Sequence, residues 1–435
     1  MRLEHGAVVQ PLGDIRTVVP GLLSKFSFVE IHSTREGQLM MKKKVSTILI
    51  MLLMLSVYPA VFAATGAFHD VKDSHWAGPH IEEAVKRGYV TGYPDGTFRP
   101  GNPITRAEFA SILAKATKLE EIRASQDVFA DVPAGNWAKP YIDKLVSVGI
   151  IDPSDYKHRA KAGDDITRYE MVKWMVNGLA ESDDSFKQAL EDTKGTLVPF
   201  VEYYKGGIAE DKIPYVAVAR GTQLTLGLPD GSFGFDQPTT RAEVAVIMQR
   251  YVGLEGGNAD DYRELTELRD VGKTGTNMMV FDAKIGLSED DKPLFFENIV
   301  GKEIRTKTGG SVKVHRYILV DESVDPNDKR VGVYAHLFVD PSSQRLPNSY
   351  SAFIEISYTP TVTNMDELKF LSEVDYITGY RLPDETLRQK YGFNTYPTFT
   401  KGRTEKFWVY QFIKRNTIWH NITAKDGSMA AFRFN

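Results

Sequence analysis

The sequence predicts a multidomain chain: an all-α region made of three copies of one helix–loop–helix unit, then an α+β or mostly-β C-terminal domain. Three observations predict it. Thr-Arg-x-Glu occurs at Thr105–Glu108, Thr167–Glu170 and Thr240–Glu243, and recurrence at such a period marks a repeat architecture. Behind each copy runs a mainly apolar stripe at i, i+3, i+4 and i+7, one face of a helix. The stripes are Phe109, Ile112, Leu113, Ala116, then Met171, Trp174, Met175, Gly178, then Val244, Ile247, Met248, Tyr251. Beyond residue 262 the apolar residues alternate with polar ones, the period of strands.

Composition bounds the reading. A chain of 435 residues exceeds one ordinary domain. It is 42% hydrophobic and 25% charged, which is globular composition. A formal charge of -4 supplies no basic field, which argues against nucleic acid as a partner. Cysteine is absent, so disulfides, thiolate metal sites and cysteine nucleophiles are excluded.

Lys42-Lys43-Lys44 precedes the uncharged run Val45–Phe62, which closes on Ala63 and Ala64. A basic start, an apolar middle and small residues at the end make residues 41–63 a secretory signal peptide cleaved after Ala63. The competing reading is a membrane anchor; Pro59 and the closing alanines argue for cleavage, and hence for no membrane contact afterwards. A signal peptide does not follow a charged leader, so residues 1–40 read as a mis-assigned start, with translation beginning at Met40 or Met41. Removing 1–63 takes basic residues from 53 to 46 and acidic residues from 57 to 53, a net charge of -7.

The copies span 67–120, 128–182 and 195–253. Phe68-x-Asp70-Val71 with Trp76-Ala77 matches Phe129-x-Asp131-Val132 with Trp137-Ala138. A helix follows each, carrying Ile81, Ala84, Val85 or Ile142, Leu145, Val146, and stops at Gly88 or Gly149. Gly92-Tyr93-Pro94-Asp95-Gly96 and Gly227-Leu228-Pro229-Asp230-Gly231 are tight-turn signatures. Thr-x-x-Glu is a capping box, so Thr105/Glu108, Thr167/Glu170 and Thr240/Glu243 read as structural.

These joint motifs resemble S-layer homology (SLH) domains over roughly 67–253. The resemblance implies a pseudo-threefold helical bundle that anchors an exported protein, without covalent bonds, to pyruvylated secondary cell-wall polysaccharide. It also implies polysaccharide contacts at Arg106, Arg168 and Arg241, at Trp76 and Trp137, and at Asp70 and Asp131. A guanidinium is a planar fork that grips a carboxylate, and a pyruvate ketal presents one. The plain alternative for the arginines is an ion pair between copies. For the tryptophans it is core packing, compatible with stacking on a sugar. For the aspartates it is helix capping. The third copy departs: no tryptophan stands between Trp174 and Trp408, and Phe-x-Asp-Val is missing. The second lacks the Pro-Asp-Gly turn, reading Asp152-Pro153-Ser154.

Residues 254–262 read as a flexible polar linker. In 263–435 strands are expected around Val312–Leu319 with a phase slip, Val331–Val339, Tyr350–Tyr358, Lys406–Ile413 and Ala430–Phe434, with helices after Asn364 and Pro383. His315, His336 and His420 have no metal-ligand spacing, no catalytic motif is present, and no cofactor, metal or catalytic residue is assigned. The carboxylates from Asp321 to Asp328 read as a solvated turn, calcium being the other reading. Trp408, Tyr410 and Trp419 read as core, a sugar platform being the alternative. The expected function is wall anchoring of a C-terminal module with a structural or adhesive role, with association to peptidoglycan or an S-layer. The alternative is a wall-anchored glycan hydrolase with paired carboxylates in the C-terminal domain.

Overall fold

The structure is a computed structural model. It describes residues 68–120, 128–323, 331–339, 348–393 and 398–434, apart from positions 305, 308, 309, 367, 368, 371, 373 and 375–384. The leader and signal segment of the sequence reading lie outside the described residues.

Three helices open on capping boxes. They are α2 (Arg106–Ala116), α4 (Arg168–Ser182) and α7 (Arg241–Leu254). The Thr105, Thr167 and Thr240 hydroxyls accept from the amides of Glu108, Glu170 and Glu243, whose carboxylates accept from the threonine amides in return. Two otherwise orphaned donors are satisfied at each start. Three partner helices, α1 (Gly78–Lys86), α3 (Lys139–Ser147) and α6 (Ile213–Gly221), have no side-chain cap but carry proline in the first turn, where the missing N–H removes no bond. Helix α5 (Asp184–Asp192) follows α4 directly.

The copies interlock. The Ile104 amide donates to Thr239 O, Ile166 to Ile104 O and Thr239 to Ile166 O, so three bonds close a ring. Around it α2 packs on α3, α4 on α6 and α7 on α1, so each copy's second helix meets the next copy's first.

Residues 254–262 are not a flexible linker. Asn258 caps a turn at Ala259–Asp261, Ala259 is buried, and its amide donates to the Ser185 hydroxyl. Gly, Asn and Asp are as much the composition of capped turns as of linkers. Helix α8 (Arg263–Thr274) then lies on α6 and α5, fixed by Arg220–Glu264 at 2.7 Å and Arg269–Asp192 at 2.9 Å.

The rest of the chain forms two antiparallel sheets, ordered β2-β3-β4-β5 and β1-β7-β6. The first holds β2 (Glu303–Ile304), β3 (Ser311–Val320), β4 (Ser349–Thr359) and β5 (Glu405–Lys414). The second holds β1 (Lys284–Ile285), β6 (Asn416–Thr423) and β7 (Met429–Phe434). The phase slip in β3 is a bulge between Val314 and Arg316. The sequence pattern missed β6.

Val331–Val339 is not a strand. It turns into the short helix α9 (Ala335–Phe338), and Val331, Val333, Tyr334, Leu337 and Phe338 are all buried. Residues of both parities are buried here, Tyr334 and Phe338 as well as Val331, Val333 and Leu337, so the apolar alternation does not mark a pleated strand. The expected helix after Pro383 is α10 (Glu385–Tyr391). The one after Asn364 lies partly outside the described residues.

One face of the larger sheet packs Tyr317, Leu319, Ile354 and Ile356 with Phe432 and Phe434 of β7. On the other face Ile318, Val320, Phe353, Trp408 and Tyr410 share one continuous core with the helices through Phe338, Tyr391 and Phe393. Trp408 and Tyr410 are therefore core residues. Glu267 of α8 is buried within this seam and takes bonds from the Val333 amide and the Asn277 side chain, each at 2.7 Å; burial pushes its carboxyl up to about 7 despite them. At the same seam Tyr204 meets the rings of Tyr391 and Phe393, and the Lys390 chain lies against Gly231 of the third copy's turn.

Candidate carbohydrate-binding site

Trp76 and Trp137 stand one residue before the caps of α1 and α3, and the residue after each, Ala77 or Ala138, is buried. The alanines fill the core, so the indoles point out: Trp76 is 62% and Trp137 59% exposed. Core packing therefore fails for both. His75 stacks on Trp76 at 5.8 Å. Tyr141 meets Trp137 edge-on, and the Lys115 ammonium lies 5.3 Å from the Tyr141 ring centre. In the third copy Pro214 stands where Pro79 and Pro140 stand, which places Asp211 at the tryptophan position.

Asp70 accepts from the amides of Phe98 and Arg99 at 2.8 and 2.7 Å. Asp131 accepts from Ala160 and Lys161 at 2.9 and 2.8 Å. Both aspartates thus clamp a loop rather than cap a helix, and each oxygen has a backbone partner. Arg99 and Lys161 have positive φ, a left-handed turn that presents two successive amides to one anion. Burial would raise the Asp70 carboxyl, but these amides hold it below the usual carboxylate range.

The third copy has the same clamp, which the sequence reading missed. Glu202 accepts from Phe233 and Gly234 at 3.0 and 2.9 Å, and Phe200 meets Phe233 as Phe68 meets Phe98. Phe200-x-Glu202 is the third Phe-x-Asp with one more methylene. The available signal was a phenylalanine two residues before an acid and 33 before the next phenylalanine-bearing turn.

The three arginines have three settings. Arg106 is 14% exposed and its fork closes on Glu170, with Nη2 at 2.8 and 3.0 Å from the two oxygens and Nε at 3.0 Å. Arg168 is buried, with Nη1 2.6 Å from Glu243. In both pairs the next copy's capping-box glutamate takes the arginine as well as its own threonine. Arg241, buried like Arg168, breaks the pattern. It donates to Phe98 O at 2.8 Å and Thr91 O at 2.7 Å, lies over the Phe98 and Tyr93 rings, and has no carboxylate partner among the described residues. The expected free forks at Arg106 and Arg168 are thus closed by this chain's own acids.

This gives a stability prediction. Burial would raise the Glu243 carboxyl, but the Thr240 amide and Arg168 hold it below the usual range. The resulting stability is complete above about pH 4.5 and is lost as pH falls through the lowered folded value. Arg168→Ala leaves this acid without its cation, which costs about 3 kcal/mol. Thermal unfolding from pH 3 to 7 should show a lower Tm at neutral pH and a flatter acid limb than the parent.

Among the described residues no group of three or more His, Asp or Glu converges to hold a metal ion. Asp321 pairs with Arg415 and Glu322 accepts from Ser351; the rest of the turn considered for calcium lies outside the described residues. A cavity of about 540 Å³ between Gly195, Lys273, His315, Arg316 and Lys406 has Glu297 as its one lining carboxylate, not a facing pair. No described helix is long and apolar enough to cross a membrane.

The S-layer homology domain family matches residues 67–110. The cellulosome-anchoring protein of Acetivibrio thermocellus is 45% identical over 87 residues, 19% of this chain and 20% of that one. The S-layer protein sap of Bacillus anthracis is 33% identical over 277 residues, 61% of this chain and 34% of that one. An amylopullulanase of Thermoanaerobacterium thermosulfurigenes is 35% identical over 189 residues, 43% and 10% of the two chains. The chain spans about a third of the length of these relatives or less. With an S-layer homology domain at residues 67–110, it is a secreted protein of the cell surface.

Proposed function

We propose that the three interlocked copies form an SLH triplet with pseudo-threefold symmetry about the amide ring at Ile104, Ile166 and Thr239, and that it anchors the chain to an acidic, pyruvylated cell-wall polysaccharide. The observation that carries this reading is the outward placement of Trp76 and Trp137 at equivalent positions over buried alanines. An exposed indole offers a flat apolar face and an N–H donor to a sugar ring. Arg241 supplies the carboxylate contact: its side chain is buried against Phe98 and Tyr93, but alone of the three its guanidinium lacks an acidic partner among the described residues. Arg106 and Arg168 hold adjacent copies together, and Asp70, Asp131 and Glu202 shape the loops. The third copy, with Asp211 for tryptophan and its turn against Lys390, carries the C-terminal domain, which is displayed as a structural or adhesive module fixed in orientation.

The test is sedimentation with purified walls. Parent protein should pellet, and chemical removal of the ketals should leave it in the supernatant. Arg241→Gln should weaken pelleting about tenfold, the value of one charged hydrogen-bonded contact at about 1.5 kcal/mol, while Arg106→Gln should act on stability first. Equal pelleting of parent and Arg241→Gln would remove that arginine from the contact, and pelleting on ketal-free walls would remove the acidic ligand.

A further inference from the structure

A second aromatic and basic surface lies far along the chain from the copies, on the outer face of β1-β7-β6. Lys284 stands directly opposite Arg433 in the register of β1 and β7. Like charges in that relation repel and destabilise a sheet. Among the described residues neither has a salt-bridge partner, the Arg433 Nε is buried without an acceptor, and Asp426, the acid nearest Arg433 in sequence, pairs with Lys302 instead. The arrangement is an uncompensated pair of cations on a chain whose formal charge is -4.

Trp419 of β6 lies beside this pair, 41% exposed. The Arg433 guanidinium is 4.9 Å from its ring centre, a cation–π distance that holds the fork against the indole. Beneath the ring the sheet is small: a side chain at Gly286 would come within 2.9 Å of the Ala431 methyl and 3.3 Å of Trp419. The exposed Asn421 stands opposite Ala431. A flat half-exposed ring, a guanidinium and an ammonium lacking counter-charge, and an amide thus share one face of a sheet that ends at β6.

We propose that this face binds an acidic oligosaccharide, with a sugar ring on Trp419 and its carboxylate between Arg433 and Lys284. The indole matches the apolar face of a pyranose, the fork matches a carboxylate, and the bound anion relieves the repulsion built into the register.

The test uses the full chain carrying Trp76→Ala, Trp137→Ala and Arg241→Gln, so that every contact proposed for wall anchoring is removed and failure of that reading stays separate. The probes are a galacturonic acid trisaccharide, its neutral galactose counterpart and a glutamate-rich peptide, followed by calorimetry. The acidic sugar should bind at least tenfold tighter than the other two. Trp419→Ala and Arg433→Gln should each lower that affinity at least tenfold. Lys284→Glu places a carboxylate opposite Arg433 and should abolish binding without lowering Tm, which separates lost contact from lost fold. Absence of acidic-sugar binding, equal binding of the neutral sugar or the peptide, or unchanged binding by Lys284→Glu would overturn the proposal.

Discussion

Trp76→Ala combined with Trp137→Ala should reduce the affinity for purified walls by roughly a thousandfold while leaving Tm within about 1 °C of the parent. Truncating a tryptophan at the centre of a contact costs about 2 kcal/mol. The two residues belong to different copies and touch different neighbours, His75 in one case and Tyr141 in the other. Their effects should therefore add, and about 4 kcal/mol is roughly a factor of a thousand. Stability should hold because the indoles lie outside the core, which Ala77 and Ala138 complete, and exposed substitutions of this kind change stability by about 0.5 kcal/mol or less. Each single variant should lose about thirtyfold. Binding isotherms on sedimented walls with a parallel melt decide it; a double variant that binds like the parent would show that the indoles face solvent for another reason.

What the sequence made legible follows from range. The capping boxes at Thr105, Thr167 and Thr240 were readable because donor and acceptor lie within one helical turn. The slip in β3 was readable because a bulge breaks the period of two at one place. The mixed fold, helices followed by antiparallel sheets, rested on the same local periods. The partners of the arginines were not readable, since Glu170 lies 64 residues from Arg106 and Glu243 lies 75 from Arg168. The direction of Trp76 and Trp137 depends on the alanine beside each and on the adjacent copy packed beneath it, so no local pattern reports it. Val331–Val339 failed for the opposite reason: Tyr334 and Phe338 are buried along with Val331, Val333 and Leu337, so burial does not follow the period of two that the apolar residues suggest. Glu202 escaped because one methylene hid an otherwise intact element.

The second large effect concerns the joint between the copies and the C-terminal domain. Gly272→Ala in α8 should lower Tm by about 5 °C, whereas Gly253→Ala in α7 should raise it. Both glycines are helical, and alanine is favoured over glycine inside a helix by about 1 kcal/mol. At Gly253 an added methyl meets nothing within 4 Å, so the intrinsic preference acts alone. At Gly272 it would collide with the Asp192 carbonyl oxygen and lie 3.1 Å from the Thr193 Cα, both backbone of α5 and its cap, which cannot rotate away. Helix α8 must then lift from α5, and such overpacking costs about 1–3 kcal/mol or more. The same displacement disturbs the close packing of α6 on α8 at Gly221, where even a Cβ would lie 2.5 Å from the Leu265 Cα, and it pulls Glu267 from the Val333 amide. Because α8 belongs to the core that the helices share with the larger sheet, calorimetry should show one transition moving as a whole. Two transitions, with the variant displacing the helical one alone, would mean that the C-terminal domain folds independently of the third copy.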